Sequence, residues 1–414
     1  MTTAALASSS LIRQRSFVLF WLSRVASTVG YQMLTLMIGW QLYELTNSAF
    51  DLGLVGLIQF VPAVLLTLLI GHAADRYDRR MIVRGAQCLY AVTAVVLAVA
   101  LLTQTLSRDL LFVAVLLMGC GRAFELPTAH ATVPSLVPTP LLARAVASWT
   151  SANQVAVICG PALGGLIYAL SPLAVGIVCL VVFAVGIVCV TLVHIDRPPV
   201  PREPPTFASV FAGFSYIRER RRLLGVITLD VAVVLLGGAT ALLPIFARDI
   251  LAVGPVGLGL LRSAPAVGAL ITTIVLSNHP LERRVGPAMF AVVAIFGLAT
   301  VVFALSSSFL LSLAALVVLG ASDAVSVVIR FTLVQLETPD EKRGRVSAIN
   351  SLFVSSSNTL GEFESGVVAA WLGAVPSVLI GGIGSLLSAA LWMLLFPDLR
   401  RIDRYPSADE KKSA

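Results

Sequence analysis

Charged residues interrupt several long apolar stretches of this sequence, and their chemistry needs an explanation. Four arginines, Arg24, Arg122, Arg262 and Arg330, lie within such stretches. Five carboxylates do so as well: Glu125, Asp230, Asp323, Glu362 and Glu364. A charge far from water is costly, so these residues usually face a polar cavity or a partner of opposite charge. The pattern predicts a polar chamber inside an otherwise apolar protein.

The carboxylates near the middle of an apolar stretch could bind a proton. Burial disfavours their charged form, so they can take up a proton near neutral pH and release it when water enters. We predict this role for Glu125 and Asp323, with Asp230 as a third candidate. The alternative is a fixed ion pair, Arg122 with Glu125 or Asp323 with Arg330, because each pair shares a helix face.

The apolar stretches are long enough to cross a membrane as helices. Of 414 residues, 57% are hydrophobic and 12% are charged, against about 25% charged in soluble domains. This composition excludes a soluble enzyme, a disordered chain and a nucleic-acid-binding module. It predicts an all-α polytopic membrane protein with twelve transmembrane helices. The predicted spans are 17–43, 51–74, 82–104, 110–134, 141–169, 172–193, 223–247, 255–277, 285–305, 309–336, 345–372 and 375–396.

The basic residues predict the orientation of these spans. If the N-terminus is cytoplasmic, 23 of the 29 lysines and arginines fall in inner segments and two in outer segments. Cytoplasmic loops carry such an excess, so both termini are predicted to face the cytoplasm. The net charge of +7 is therefore attributed to topology and to contact with anionic lipids, and no nucleic-acid partner is expected.

A hydrophilic segment divides the chain into two halves. Apolar positions from Phe207 to Ile217 share one helical face, which predicts an interfacial amphipathic helix. Residues 136–148 resemble residues 336–348 at an offset of 200, as expected of parallel repeats. The predicted organisation is a six-helix bundle over 1–193, a linker over 194–222, a second six-helix bundle over 223–398 and a tail over 399–414.

One loop carries a specific family resemblance. Residues 71–80 read Gly71-His-Ala-Ala-Asp75-Arg76-Tyr-Asp78-Arg79-Arg80. They resemble the signature G-x-x-x-D-R-x-[GD]-R-[RK] of the major facilitator superfamily. Asp75 can accept hydrogen bonds from a helix N-terminus, and the resemblance implies that this helix begins near 343–346. These six named residues are therefore predicted to form a cytoplasmic gate, the alternative being an ordinary basic loop.

A second motif lies in the fifth predicted helix. Gly160-Pro161-Ala-Leu-Gly164-Gly165 resembles the end of the superfamily's proton-antiporter signature. Small residues also permit close helix approach, so simple packing explains the motif equally well. With the segments 121–127 and 358–366, the chain resembles the drug and siderophore exporters of the superfamily.

The resemblance gives the intramembrane charges a role. It implies that helices one, four, seven and ten line a central cavity, which makes Arg24, Arg122 and Arg330 candidates for substrate contact. Arg24 could instead extend to the membrane interface. Glu362 and Glu364, in helix eleven, are further cavity candidates; because they are two residues apart, they cannot share a face.

The resemblance implies a secondary active exporter, a proton antiporter that moves a siderophore or amphipathic drug by alternating access. The alternatives are a uniporter or importer of the same fold without proton coupling, or a non-transporting membrane receptor. An enzyme is not expected, since no nucleophile–base set is visible.

No cofactor or metal is expected. The sequence has no G-x-x-x-x-G-K-[ST] motif and no C-x-x-C pair among its five cysteines, so a proton gradient would supply the energy. The predicted partners are a small-molecule substrate and membrane lipids. The protein is predicted to be a monomer in the bacterial inner membrane.

Overall fold

The computed structural model describes residues 11–66, 77–194 and 214–405, and these residues are almost entirely helical. A helix satisfies all its backbone hydrogen bonds internally, which a segment crossing lipid requires. The main helices are α1 (Arg15–Thr46), α2 (Ala49–Leu65), α3 (Arg79–Leu102), α4 (Arg108–Leu136), α5 (Leu142–Leu170), α6 (Pro172–Thr191), α7 (Arg221–Leu236), α8 (Gly254–Asn278), α9 (Val285–Leu305), α10 (Phe309–Glu337), α11 (Asp340–Leu372) and α12 (Ala374–Leu395).

Within the described ranges, nine helical segments are long and apolar enough to cross a membrane. The helices α1, α2 and α11 fall outside that set. The described part of α2 is apolar but only 17 residues long, and α11 carries the polar run 355–359 besides Glu362 and Glu364. Composition and length therefore identify most of the predicted spans, and they miss helices that are polar or too short in their described part.

Local sequence explains where several helices begin. Ser107 and Ser171 cap α4 and α6, each side chain accepting a hydrogen bond from a backbone N–H of the first turn. Pro172 occupies the first position of α6, where its missing N–H costs nothing. Such a cap stabilises a helix by about 1 kcal/mol.

Gly237 and Gly238 follow the end of α7. Beyond them the chain continues as short irregular helical turns, Ala239–Leu242, Leu243–Ile245 and Phe246–Ile250. A Cβ on Gly238 would overlap the Gly361 carbonyl of α11. Because Gly238 has no side chain, α7 can end directly against α11. Both helices line the same cavity.

The described helices group into two compact units. Unit 1 comprises the described parts of Met1–Asn47, Ile58–Pro204 and Gly254–Ser263. Unit 2 comprises those of Ser48–Leu57, Pro205–Val253 and Ala264–Ala414. Unit 1 thus contains α1, α3–α6, the last eight of the 17 residues of α2 and the first ten residues of α8.

Aromatic and small residues pack the core of unit 1. The Phe20 and Trp149 rings stack with centroids 5.2 Å apart and join α1 to α5. A Cβ on Gly30 would lie 2.7 Å from the Phe183 ring of α6. Because no side chain stands at Gly30, α6 can approach α1 closely.

Unit 2 has its own core. Gly268 of α8 packs on the Val317 carbonyl of α10, and Gly320 packs on the Pro265 carbonyl. After α12, the short helix α13 (Pro397–Arg400) folds back, and Gly286 at the start of α9 donates a backbone hydrogen bond to Ile402 O at 2.9 Å.

Part of the predicted linker helix is found, in a different environment. Residues 214–219 are helical, and Tyr216 and Ile217 are buried against unit 2, whereas Phe214 is exposed. The expectation of one continuous membrane-facing apolar face is therefore wrong for Ile217, and Tyr216, which was not part of that face, is buried beside it. The rest of that predicted face, Phe207 to Phe211, lies outside the described residues.

Candidate functional site

Glu125 is the centre of a buried polar network in unit 1. Its carboxylate lies 3.2 Å from Arg24 Nη1 and accepts hydrogen bonds from Ser27 Oγ at 2.6 Å and Gln87 Nε2 at 3.2 Å. The Tyr90 hydroxyl donates a further bond at 3.2 Å. Glu125 itself is 3% exposed. A buried carboxylate with this many hydrogen-bond donors around it is held in one position.

The partner of Glu125 differs from the sequence expectation. Arg24 of α1 makes the ion pair, and Arg122, one helical turn away on α4, does not. Arg24 Nη2 also donates to Asn153 Oδ1 of α5 at 3.3 Å, and Arg24 is buried. The alternative Arg122–Glu125 pair is therefore wrong, because Glu125 pairs with Arg24 of another helix. The alternative extension of Arg24 to the membrane interface is wrong for the same reason.

Arg122 takes a different position. Its guanidinium carbon lies over the Tyr31 ring, 4.7 Å from the centroid, and the Tyr31 hydroxyl donates to Gln59 Oε1 at 3.2 Å. Tyr31 is buried, but Arg122 is exposed although it is the fifteenth residue of the 29-residue α4. The tyrosine orients the cation, and the exposed guanidinium can bind an anionic group.

Unit 2 contains a second buried ion pair. Arg330 of α10 contacts the Asp230 carboxylate of α7, and its Nε donates to Ser326 O at 3.3 Å. Both charged residues are less than a tenth exposed. The alternative pair of Asp323 with Arg330 is therefore wrong, since Arg330 pairs across helices. Asp230, a proton-binding candidate, and Arg330, a substrate-contact candidate, neutralise each other here.

Asp323 is left without a partner. It lines a cavity of about 270 Å³ in unit 2, and within residues 11–66, 77–194 and 214–405 its carboxylate has no hydrogen bond or ion pair. The cavity lies where α7 ends at Gly237 and Gly238, and its other lining includes Pro265, Phe296, Leu319, Asn358 and Glu362. The chamber is thus mostly apolar, with an unpaired carboxyl in its wall.

The two units carry their charges in matching register with the signs reversed. Arg24 and Asp230 are each the tenth residue of α1 and α7, and Arg122 and Asp323 are each the fifteenth residue of α4 and α10. Glu125 and Arg330 lie 205 positions apart, close to the 206 that separate Arg24 from Asp230. This spacing was visible in the sequence, and it would have predicted both cross-helix pairs.

A polar face of α1 also belongs to the site, although the sequence prediction took only Arg24 from it. Buried polar residues occur at Arg24, Ser27, Thr28, Tyr31 and Thr35. These positions repeat every three to four residues and so share one face of a helix. That repeat is the signal that could have found them.

At the other end of α1, Gln41 and Glu44 form a separate cluster with Tyr168. The Tyr168 hydroxyl donates to Glu44 at 3.1 Å and contacts Gln41. No sequence motif marked this cluster, since its members come from α1 and α5.

The glycine motif of α5 has a direct packing role. A Cβ on Gly160 would lie 2.7 Å from Gln32 Cβ, and one on Gly164 would lie 3.0 Å from Met33 Cα, both in α1. Gly165 packs on the Pro255 carbonyl of α8, and Pro161 O touches Gly259. The geometry matches the packing explanation of the motif.

We therefore predict that Gly160→Ala lowers the thermal unfolding midpoint of the purified protein, because overpacking costs about 1–3 kcal/mol. Gly85→Ala is the matched control, since a Cβ there meets nothing within 4 Å and alanine favours a helix. Equal midpoints for the two variants would show that α5 does not depend on this contact.

Half of the predicted gate is described. Arg79 donates to Ala131 O and Arg80 donates to Val193 O, each at 2.7 Å, so both fasten the start of α3 within unit 1. Asp78 caps α3, and the Arg80 guanidinium hydrogen-bonded to it lowers the pKa of that carboxyl. Gly71, Asp75 and Arg76 lie outside the described residues.

Glu362 and Glu364 of α11 have different surroundings. Glu362 lines the cavity beside Asp323, whereas Glu364 accepts a hydrogen bond from Ser365 Oγ at 3.4 Å. On the same helix, Gly366 packs on Gly53 of α2. Within the described ranges no group of three His, Cys, Asp or Glu side chains could hold a metal ion.

Comparison with known proteins connects this arrangement to transporters. A sequence profile described as "transmembrane secretion effector" matches residues 6–412. The chain is 25% identical to the enterobactin exporter EntS of Salmonella typhi over 400 residues, which is 95% of each chain. It is also 25% identical to EntS of Escherichia coli O1:K1 over 94% of each chain.

Solved structures share the fold. An inward-facing bacterial homologue of the human lysosomal transporter Spinster aligns with a TM-score of 0.75 at 14% identity, covering 97% of this chain and all of that one. An inward-facing bacterial homologue of the iron transporter ferroportin aligns with a TM-score of 0.70 at 19% identity, covering 95% and 100%. The fold is therefore that of a major facilitator transporter.

Proposed function

The chain belongs to the transmembrane secretion effector family of major facilitator transporters, an integral membrane family of transporters and not of enzymes, and we propose that it is a proton-coupled exporter. It moves a small organic molecule out of the cytoplasm in exchange for protons. Transport proceeds by alternating access, in which the substrate site opens to one side of the membrane at a time. Twelve spans in two six-helix bundles build the transporter.

The observation that carries this proposal is the state of Asp323. Both other proton-binding candidates, Glu125 and Asp230, have an arginine partner, whereas Asp323 lines a cavity with no such partner among the described residues. An unpaired carboxyl gains more from protonation than one paired with a cation. We assign Asp323 as the proton carrier, and the two ion pairs as fixed supports of their units.

Coupling follows if protonation and substrate favour different conformations. A ligand shifts a conformational equilibrium by as much as its affinities for the two states differ. Protonated Asp323 favours one state and bound substrate favours the other, so each proton that enters drives one export step. No cofactor takes part, and the proton gradient supplies the energy.

The substrate class follows from Arg122 and the apolar walls. Arg122 offers an exposed cation held against Tyr31, which suits an anionic or catecholate group. The relatives named for enterobactin export support a siderophore, and the apolar cavity lining equally suits an amphipathic drug. Glu362 lies beside the carrier and completes the polar part of the chamber.

The remaining expectations describe the setting. The chain works as a monomer in the bacterial inner membrane, with both termini cytoplasmic. Residues 71–80 close the cytoplasmic side through Asp75, while Arg79 and Arg80 keep the start of α3 in place.

Transport of enterobactin in proteoliposomes tests the proposal. We expect Arg122→Ala to raise the apparent KM by about tenfold, the loss of one hydrogen bond to a charged group, with no change in thermal stability. Arg283→Ala, which removes an exposed loop cation, is the control. Uptake that is unchanged when the pH gradient is collapsed would favour the uniporter instead, and binding without flux would favour a receptor.

A further inference from the structure

A basic patch on unit 2 lies outside the transport site. It forms where the linker helix 214–219 docks between α7, α10 and α11. Tyr216 and Ile217 of the linker helix are buried with Leu223 and Val346. The Tyr216 hydroxyl donates to Glu337 O, at the end of α10, at 3.3 Å. The linker helix is therefore fixed to unit 2 by packing and by a hydrogen bond.

Docking brings two cations against one aromatic ring. Lys342 Nζ lies 4.6 Å and Arg220 Cζ lies 5.4 Å from the centroid of the Tyr216 ring. The two charges are therefore within about 10 Å of each other, roughly one Debye length at physiological ionic strength, and they repel. An anion bound between or beside them would remove that repulsion.

Among the nearby described carboxylates, Glu337 attracts Arg220 electrostatically but forms its ion pair with a different arginine. Glu337 lies 3.8 Å from Arg222, and Glu219 accepts a hydrogen bond from Ser215 Oγ at 3.1 Å. Neither Arg220 nor Lys342 has an ion pair with a carboxylate whose position the structure describes. Both cations are exposed, so an external anion can reach them.

The position of the patch selects the kind of anion. The apolar span beginning at Arg221 starts directly after Arg220, which places the cations at the membrane–water boundary. Phe214, on the same short helix, is 46% exposed, and Arg218 lies one turn further on the same face. An exposed aromatic ring beside arginines is typical of a segment that contacts lipid headgroups and acyl chains together.

We propose that Arg220 and Lys342, held against Tyr216, bind the phosphate of an anionic phospholipid headgroup, with Phe214 contacting its acyl chain. The bound lipid joins the linker helix to the start of α11 and so stabilises the docked linker. This site is independent of the proton and substrate sites proposed above.

The test uses the full-length protein in neutral detergent, titrated with dioctanoyl phosphatidylglycerol and followed by native mass spectrometry and thermal unfolding. We expect phosphatidylglycerol to bind and raise the unfolding midpoint, and phosphatidylcholine or inorganic phosphate at the same concentration to do neither. The double variant Arg220→Gln/Lys342→Gln should bind about thirtyfold more weakly, and Lys342→Gln alone about fivefold more weakly. The matched control is Arg400→Gln/Arg401→Gln, which removes two exposed cations of the same unit.

If the folded Lys342→Gln and double variants bind phosphatidylglycerol with wild-type affinity, the proposed site is wrong. Equal stabilisation by inorganic phosphate would show a free-phosphate site in place of a lipid site, and equal stabilisation by phosphatidylcholine would show that the headgroup charge plays no part. Weakened binding in the Arg400→Gln/Arg401→Gln control would show only a general charge effect, which also contradicts the proposal.

Discussion

We expect Asp323→Asn to abolish substrate accumulation driven by a pH gradient and to leave substrate equilibration across the membrane intact. Asparagine has nearly the shape of aspartate but cannot exchange a proton, so the substrate cycle loses its connection to the gradient. The assay is flux into proteoliposomes, measured with and without an imposed pH gradient. With the gradient, the variant should reach the level that the wild type reaches without it.

Two further variants make this result specific. Asp323→Glu keeps a titratable group in the cavity and should retain part of the accumulation. Asp398→Asn removes an exposed carboxylate of the same unit and should behave as wild type. If Asp323→Asn still accumulates substrate with the gradient, another carboxylate carries the proton. Glu362, which lines the same cavity as Asp323, would then be the first candidate.

Glu125→Ala should cause the largest loss of stability of any single substitution in the polar sites. The change leaves Arg24 buried without its ion-pair partner, and breaking a buried pair from one side costs about 3–5 kcal/mol. It also removes the acceptor of Ser27, Gln87 and Tyr90. The measurement is the thermal unfolding midpoint of the purified protein in detergent.

The double variant Arg24→Met/Glu125→Leu separates pairing from packing. Replacing both charges with apolar residues of similar volume leaves no unpaired ion, so most of the stability should return. Glu282→Ala, at an exposed loop position, should leave the midpoint unchanged. If the double variant is no more stable than Glu125→Ala, the loss comes from Ser27, Gln87 and Tyr90, which lack their acceptor in both variants, and not from the stranded arginine.

Much of the fold was predictable because lipid-facing helices have a simple composition. A helix such as α6 is apolar along nearly its whole length, and its predicted span, 172–193, differs by two residues at one end from the observed Pro172–Thr191. In α11 the polar residues that serve the cavity also lower its hydropathy. Its predicted start at 345 is five residues later than the observed start at Asp340.

The sequence predicted which charged residues belong to the site better than it predicted which of them pair with each other. The sequence identified Arg24, Glu125, Asp230 and Arg330, which form the two buried ion pairs, but the pairs that it offered for Glu125 and Arg330 lay along one helix. Arg24 with Glu125 and Asp230 with Arg330 are contacts across helices, and helical periodicity has no information about which helix is the neighbour. The reversed-charge register between the two halves was the signal that could have supplied it.

The linker shows the same limit. An apolar face predicts burial but not whether lipid or protein covers it, and here Tyr216 and Ile217 pack on unit 2. Phe214 on the same helix is exposed, so for this residue the membrane contact stays a prediction.

Proton release on substrate binding tests the central claim, that Asp323 exchanges its proton for substrate, most directly. Substrate is added to purified protein in weakly buffered solution near neutral pH, and a pH-sensitive dye reports the protons released. We expect the wild type to release about one proton more per bound substrate than Asp323→Asn. Substrate binds the form in which Asp323 is deprotonated, so its binding displaces the proton that the carboxyl held. Equal proton release from the two proteins at equal substrate occupancy would contradict it.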